Sequence, residues 1–64
     1  MGERIKQLRL QKGLTQPKLA KILGISHSMM GMIEQGRRRP NDEVKLKICD
    51  FFNITMDYLM GRNI

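Results

Sequence analysis

Residues 16–35 read QPKLAKILGISHSMMGMIEQ, and this stretch decides the fold. It holds two short segments of helical apolar period, separated only by residues 24–26, which is too few for anything except a sharp corner. Gly24 tolerates the positive φ that such a corner requires, and Ala20 is small enough to lie where two helices touch. The apolar residues expected on the inner sides of both helices are Leu19, Leu23, Ile25, Met30 and Ile33. The spacing therefore predicts a helix-turn-helix over residues 16–35.

The rest of the chain also follows a helical period, and no segment keeps the alternation of a β-strand. Helices are predicted at about residues 3–12, 16–23, 27–35, 42–52 and 56–60. Their predicted N-caps are Thr15, Ser26, Asn41 or Asp42, and Thr55, and their predicted C-terminal stops are Gly13, Gly24, Gly36, Asn53 and Gly61. We therefore expect an all-α, compact five-helix bundle forming a single domain over residues 1–64, with Arg62, Asn63 and Ile64 as a frayed tail.

The charge of the chain lies mostly on its N-terminal side. The 64 residues carry twelve Lys and Arg against six Asp and Glu, a net charge of +6 at pH 7. Residues 1–39 hold nine of the basic residues and two of the acidic ones, whereas residues 40–64 hold three and four. The whole excess thus falls on the part that contains the predicted helix-turn-helix. Such an excess favours a polyanionic partner.

Residues for catalysis or metal binding are scarce. Cys49 is the only cysteine and His27 the only histidine, so a disulfide framework and a multi-cysteine zinc site are excluded. The carboxylates are scattered, and the glycines follow no phosphate-loop pattern. We expect no enzyme activity, catalytic residue, metal, cofactor or small-molecule ligand. No apolar run approaches the roughly 20 residues of a membrane span, so the expected location is the cytoplasm, beside the nucleoid when DNA is bound.

The outer face of the second helix of the motif is predicted to carry His27, Ser28, Gly31, Met32 and Gln35. A helix held in this way presents its N-terminal half to the DNA major groove. His27 and Ser28 are candidates for base or phosphate contact, and Met32 for packing on a thymine methyl group. As alternatives, His27 is a bystander, Ser28 is a second capping hydroxyl, and Met29, at the edge of this face, is half core. Arg37, Arg38 and Arg39 directly follow this helix, where they either contact the phosphate backbone or form a solvated turn.

Motifs along nearly the full chain resemble the Cro/C1-type (XRE-like) helix-turn-helix family of phage repressors and small bacterial regulators. The matching segments are RIK (4–6), LR (8–9), KGLTQ (12–16), LA (19–20), LGIS (23–26), IEQG (33–36), Pro40 and FNITMDYL (52–59). The resemblance implies a lambda-repressor-like domain that binds double-stranded DNA in a sequence-specific manner, commonly as a homodimer on a palindromic operator. It also implies that Gln16 touches a phosphate or an adjacent base and that Arg9 pairs with Glu34. Lys18 is a further candidate for phosphate contact.

Two functions remain open from the sequence. The first is a transcriptional regulator, a repressor, whose homodimer interface lies around Met56, Tyr58 and Met60 in the less basic C-terminal third; core packing is the alternative role of these three residues. The second is a protein-binding or antitoxin-like module in which an exposed strip of Met29 and Met32 accepts a partner protein, with DNA contact secondary.

Overall fold

The computed structural model describes residues 1–61, and within them the chain is helical without any strand. The helices are α1 (Gly2–Gln11), α2 (Gln16–Leu23), α3 (His27–Glu34), α4 (Asp42–Phe52) and α5 (Met56–Leu59). The expected all-α, five-helix class is confirmed, and the predicted bounds differ from the observed ones by one residue at four of the ten helix ends and coincide at the other six. The tail predicted at residues 62–64 lies outside the described residues.

Four of the five helices begin at a side chain that caps the first turn. The oxygens of Thr15, Ser26, Asn41 and Thr55 each accept a hydrogen bond from the backbone N–H three residues later, at 2.9–3.3 Å. These bonds satisfy N–H groups that have no partner inside the helix. Of the two predicted caps for α4, Asn41 is the one used. Short polar residues before each apolar run therefore set where these helices start.

The corner between α2 and α3 is built around Gly24, whose φ of 73° lies in the left-handed region. The Gly24 N–H donates to the Lys21 carbonyl at 3.2 Å, and the Ile25 N–H donates to the Ala20 carbonyl at 3.0 Å. Lys47 of α4 adds a side-chain donor, with Nζ 3.5 Å from the Leu23 carbonyl. A cation at the C-terminal end of a helix also suits the helix dipole. The corner is thus stabilised by hydrogen bonds within the helix-turn-helix and by one hydrogen bond from α4.

The core lies where the inner faces of all five helices meet. Its buried apolar side chains are Ile5, Leu19, Ala20, Leu23, Met30, Ile33, Val44, Ile48, Phe52 and Leu59. Every inner residue predicted for the helix-turn-helix is among them except Ile25, which is half-buried and packs against the same cluster. Because both helices of the motif anchor in one core, their relative orientation is fixed.

The start of α1 packs against the end of α3 at Gly2. A Cβ on Gly2 would lie 2.7 Å from the Glu34 carbonyl oxygen and nearer still to the Ile33 carbonyl oxygen. Only glycine permits this approach. The positive N-terminal end of α1 therefore faces carbonyls at the negative C-terminal end of α3, an arrangement that helix dipoles favour.

Candidate nucleic-acid interface

The first turn of α3 is anchored on its inner side and open on its outer side. Met30 and Ile33 are buried, whereas His27 and Ser28 are exposed. Ser26 accepts the cap bond, so the hydroxyl of Ser28 is not used as the helix cap. The capping alternative for Ser28 is therefore wrong, and α3 presents His27 and Ser28 outward from a rigid support.

An ion pair between Arg9 and Glu34 ties α1 to the C-terminal end of α3. Arg9 Nε lies 2.7 Å from Glu34 Oε2, and Arg9 Nη2 donates to Glu34 Oε1 at 3.1 Å. The remaining arginine nitrogen, Nη1, donates to the Leu14 carbonyl at 2.8 Å. The two side chains are only 9% and 2% exposed. This geometry matches the pairing implied by the family resemblance, and the contact with Leu14 adds the turn before α2 to the same network.

Gln16 lies at the start of α2, between this ion pair and the exposed end of α3. Its Nε2 donates to Glu34 Oε1 at 3.0 Å, and its Oε1 is 3.2 Å from His27 Nε2. Its side chain is half-buried. Gln16 and His27 are thus brought together, although the sequence predicted each of them only separately.

Residues on the edge of α3 are less exposed than the sequence predicted. Met29 and Met32 are half-buried, and Met29 packs against the core cluster. The expectation of an exposed Met29/Met32 strip is therefore wrong, whereas the half-core alternative for Met29 is confirmed. The Arg37 N–H donates to the Met32 carbonyl at 2.9 Å and so closes the end of α3, and Arg38, Arg39 and the buried Pro40 lie beside Met29.

The arginine loop, residues 37–39, is held against the end of α3. The Arg38 N–H also approaches the Met32 carbonyl, at 3.3 Å, and Arg38 and Arg39 line a shallow depression together with Met29. All three arginines are exposed, and none pairs with a carboxylate within residues 1–61. Lys18, in the first turn of α2, is exposed as well. Uncompensated cations on a fixed surface are suited to contact phosphate.

The three residues predicted at a dimer interface differ in their exposure and in their neighbours. Tyr58 is 44% exposed, with the Arg4 guanidinium 4.6 Å from its ring centroid. Met56 is half-buried against the core, and Met60 lines a depression with Arg38 and Arg39. Met60 therefore lies close to the arginine loop, contrary to the expectation that all three residues sit away from α3. The role in dimerisation stays a prediction.

A family model described as helix-turn-helix matches residues 5–59, which include the whole network from Arg9 to the arginine loop. The chain belongs to the Cro/C1-type helix-turn-helix family. This Cro/C1-type chain is 45% identical over 58 residues to the uncharacterized HTH-type transcriptional regulator YazB of Bacillus subtilis (strain 168), covering 91% of the chain and 84% of YazB. It is 32% identical over 63 residues to the HTH-type transcriptional regulator ImmR of the same organism, covering 98% of the chain and 50% of ImmR. The chain thus spans about half the length of ImmR.

Solved structures show the same arrangement of helices. The crystal structure of the P22 c2 repressor in complex with the synthetic operator 9T in the presence of Tl⁺ matches with a TM-score of 0.88 and 29% identity, over 97% of this chain and 94% of that one. The solution structure of the DNA-binding domain of the P22 c2 repressor matches with a TM-score of 0.83 and 30% identity, over 92% and 78% of the two chains. The Cro/C1-type fold is therefore shown by structure as well as by sequence.

Two further properties of this Cro/C1-type chain concern metals and membranes. In the part that the structure describes, no three His, Cys, Asp or Glu side chains come together as a set able to hold a metal ion. Across residues 1–61, every helix is too short or too polar to cross a bilayer.

Proposed function

We propose that the protein is a DNA-binding transcriptional regulator, a repressor, that inserts α3 into the major groove of its operator. The observation that carries this proposal is the exposed first turn of α3, bearing His27 and Ser28, beside an arginine loop that pairs with no carboxylate of residues 1–61. The similarity to the P22 c2 repressor, which was crystallised with a synthetic operator, supports it. The protein acts without catalysis and in the cytoplasm, and this chain contributes one DNA-binding domain.

Base reading falls to the residues that project from α3 and the start of α2. His27 and Ser28 reach base edges by hydrogen bonds, and the partly exposed Met32 packs on a thymine methyl group. Gln16 makes two hydrogen bonds inside the protein, and it contacts the DNA through the donor and acceptor positions of its amide that these two bonds leave free. Lys18, Arg37, Arg38 and Arg39 contact phosphates, which fixes affinity and register without choosing sequence.

The active form that we propose is a homodimer on a palindromic operator. The longest dimension of the described chain is 32 Å, so one copy covers one half-site of about one helical turn. The dimer surface is centred on Tyr58 and its apolar neighbours Leu8 and Ile54, with smaller contributions from the half-buried Met56 and Met60. Sedimentation velocity of Tyr58→Ala tests this assignment: we expect a shift to monomer, and an unchanged dimer would contradict it.

In vitro selection of duplexes from a random pool tests the proposed function. We expect enrichment of a palindrome whose half-sites lie about 34 Å apart, the spacing of successive major grooves. A protein that enriches no sequence would contradict the proposal.

The arginine loop is tested on the selected duplex by the salt dependence of binding. Each phosphate contact contributes about −0.9 to the slope of log K against log [salt], so Arg37→Gln/Arg38→Gln/Arg39→Gln should flatten it by two to three. The variant should weaken binding to all sequences alike. Lys6→Gln removes an exposed charge on α1 and serves as the control, with little change expected. A flat slope in the unmodified protein, or a variant that alters only sequence preference, would refute the phosphate role.

A second candidate function is capture of a protein partner, as in an antitoxin. The chain is 33% identical over 63 residues to the antitoxin PezA of Streptococcus pneumoniae serotype 4 (strain ATCC BAA-334 / TIGR4), covering 98% of the chain and 40% of PezA. The half-buried state of Met29 and Met32 leaves little apolar area on α3 for such a partner. Two results together would favour this candidate over the first. The in vitro selection would enrich no duplex, and chemical-shift mapping with a copurifying protein would place the amide shifts on Met29 and Met32.

A further inference from the structure

Four side chains from three helices form one hydrogen-bonded series that ends at the exposed ring of His27. Arg9 binds both oxygens of Glu34, Glu34 Oε1 accepts from Gln16 Nε2 at 3.0 Å, and Gln16 Oε1 lies 3.2 Å from His27 Nε2. Arg9 and Glu34 are buried, Gln16 is half-buried and His27 is exposed. The series therefore runs from the interior to the surface that we propose faces DNA.

The inner end of the series fixes which way the Gln16 amide points. An arginine guanidinium is always protonated and only donates, so both Glu34 oxygens in this pair act as acceptors. The Gln16 atom that faces Glu34 Oε1 must then be the donating NH₂ group. The opposite orientation would set the Gln16 oxygen against a carboxylate oxygen. The atom that Gln16 turns toward His27 is consequently its carbonyl oxygen, which can only accept.

This orientation decides the tautomer of His27. Since Gln16 Oε1 accepts, His27 Nε2 must carry a hydrogen, and in the neutral ring Nδ1 is then a bare acceptor. Nδ1 has no hydrogen-bond partner within residues 1–61. An acceptor in this position can receive a hydrogen bond from the major-groove amino groups, which are N6 of adenine and N4 of cytosine. It can form no hydrogen bond with N7 or O6 of guanine, because both of these atoms are also acceptors.

We propose that Glu34, acting through Gln16, holds His27 in its Nε2–H tautomer and so makes Nδ1 an acceptor for the amino group of an adenine or a cytosine. Glu34 and Gln16 are thereby positioning residues for sequence choice. The base preference rests on the proposed function, whereas the tautomer is a property of the free protein.

The tautomer is measured on the free protein by ¹⁵N NMR of the imidazole, at a pH high enough to keep the ring neutral. We expect an Nε2–H tautomer almost wholly populated, with its proton protected from solvent exchange despite the exposed ring. Gln16→Met removes the acceptor at similar length, so the proton should exchange too fast to observe and the Nδ1–H tautomer should appear. Gln7→Met, an exposed glutamine on α1, is the matched control and should leave the spectrum unchanged.

The part played by Glu34 is tested with Arg9→Met/Glu34→Leu, which removes the inner anchor without leaving a buried charge unpaired. In this variant the Gln16 amide is free to turn, so the imidazole spectrum should shift toward that of Gln16→Met. A dominant Nδ1–H tautomer in the unmodified protein, or identical spectra in all variants, would overturn the proposal.

The base preference is tested by comparing duplexes selected by the unmodified protein and by His27→Ala. At the position where His27→Ala loses preference, the unmodified protein should choose adenine or cytosine over guanine by about five-fold, the effect of one hydrogen bond. A preference for guanine there would overturn the inference while leaving the proposed function intact. Selection of no duplex at all would overturn the proposed function and the base preference together, but not the measured tautomer.

Discussion

Replacing Glu34 with alanine should remove a large part of the stability of this domain. Arg9 and Glu34 are 9% and 2% exposed and share two hydrogen bonds, at 2.7 and 3.1 Å. Removing one partner of a buried pair leaves the other charge stranded and costs about 3–5 kcal/mol. A chain of 64 residues is stable by only about 3–10 kcal/mol in total. Glu34→Ala should therefore be partly or largely unfolded at 25 °C.

Urea unfolding followed by circular dichroism measures this effect, because the midpoint falls in proportion to the free energy of unfolding. The control is Glu43→Ala, which breaks the exposed pair of Glu43 and Lys47, whose nitrogen and oxygen are 3.6 Å apart and whose side chains are 77% and 48% exposed. Such surface pairs contribute about 0–1 kcal/mol. The double variant Arg9→Met/Glu34→Leu should regain most of the loss of Glu34→Ala. If Glu34→Ala costs no more than Glu43→Ala, the reasoning about the buried pair is refuted.

Three further predictions follow from single residues. Gly2→Ala should destabilise the fold by about 1–3 kcal/mol in thermal melts, because its methyl would meet the Glu34 carbonyl at 2.7 Å; an unchanged melting temperature would contradict this packing. Gly31→Ala should stabilise by about 0.5–1 kcal/mol, because its methyl would lie 3.8 Å from Gln16 Oε1 and the helix gains propensity; a loss of stability would refute it. Burial raises the pKa of the Cys49 thiol above its ordinary value. The thiol of the folded protein should therefore react with a disulfide reagent more slowly than the thiol of the urea-unfolded chain, and equal rates would contradict this. The free energy of unfolding should also fall as the pH rises past the ordinary pKa of a thiol, because the unfolded chain loses the proton first.

Much of the fold could be predicted because its signals are local. Thr15, Ser26, Asn41 and Thr55 each cap a helix within three residues of themselves, which a sequence reveals directly. Gly2 shows the limit of such reasoning. The sequence predicts a first helix that begins at Glu3, whereas α1 begins one residue earlier, at Gly2. The inclusion of Gly2 in α1 depends on the close approach of Gly2 to α3, which is a tertiary contact.

The candidate site could be predicted as a set of residues but not as a network. Helical period placed His27 and Ser28 outward and Ile33 inward, as observed. The bond from Gln16 to Glu34 joins residues 18 positions apart, and no spacing rule indicates it. Periodicity assigns a residue to a face of a helix but does not give the depth of its burial, so the partial burial of Met32 was missed.

The contact of Arg4 with Tyr58 was missed for a similar reason. These residues are 54 positions apart, and Arg4 Nη1 donates to the Tyr58 carbonyl at 2.9 Å while its guanidinium lies against the ring. Nothing in a single sequence indicates that a basic residue on the first helix contacts an aromatic residue on the last. Only packing of α1 against α5 brings them together.

Chemical-shift mapping with a selected duplex tests most directly whether the outer face of α3 contacts DNA. We predict that the largest amide shifts fall on the first turn of α3, the start of α2 at Gln16, and residues 37–39. Shifts confined to the outer face of α4 around the exposed Leu46, with His27 and Ser28 unmoved, would contradict the account.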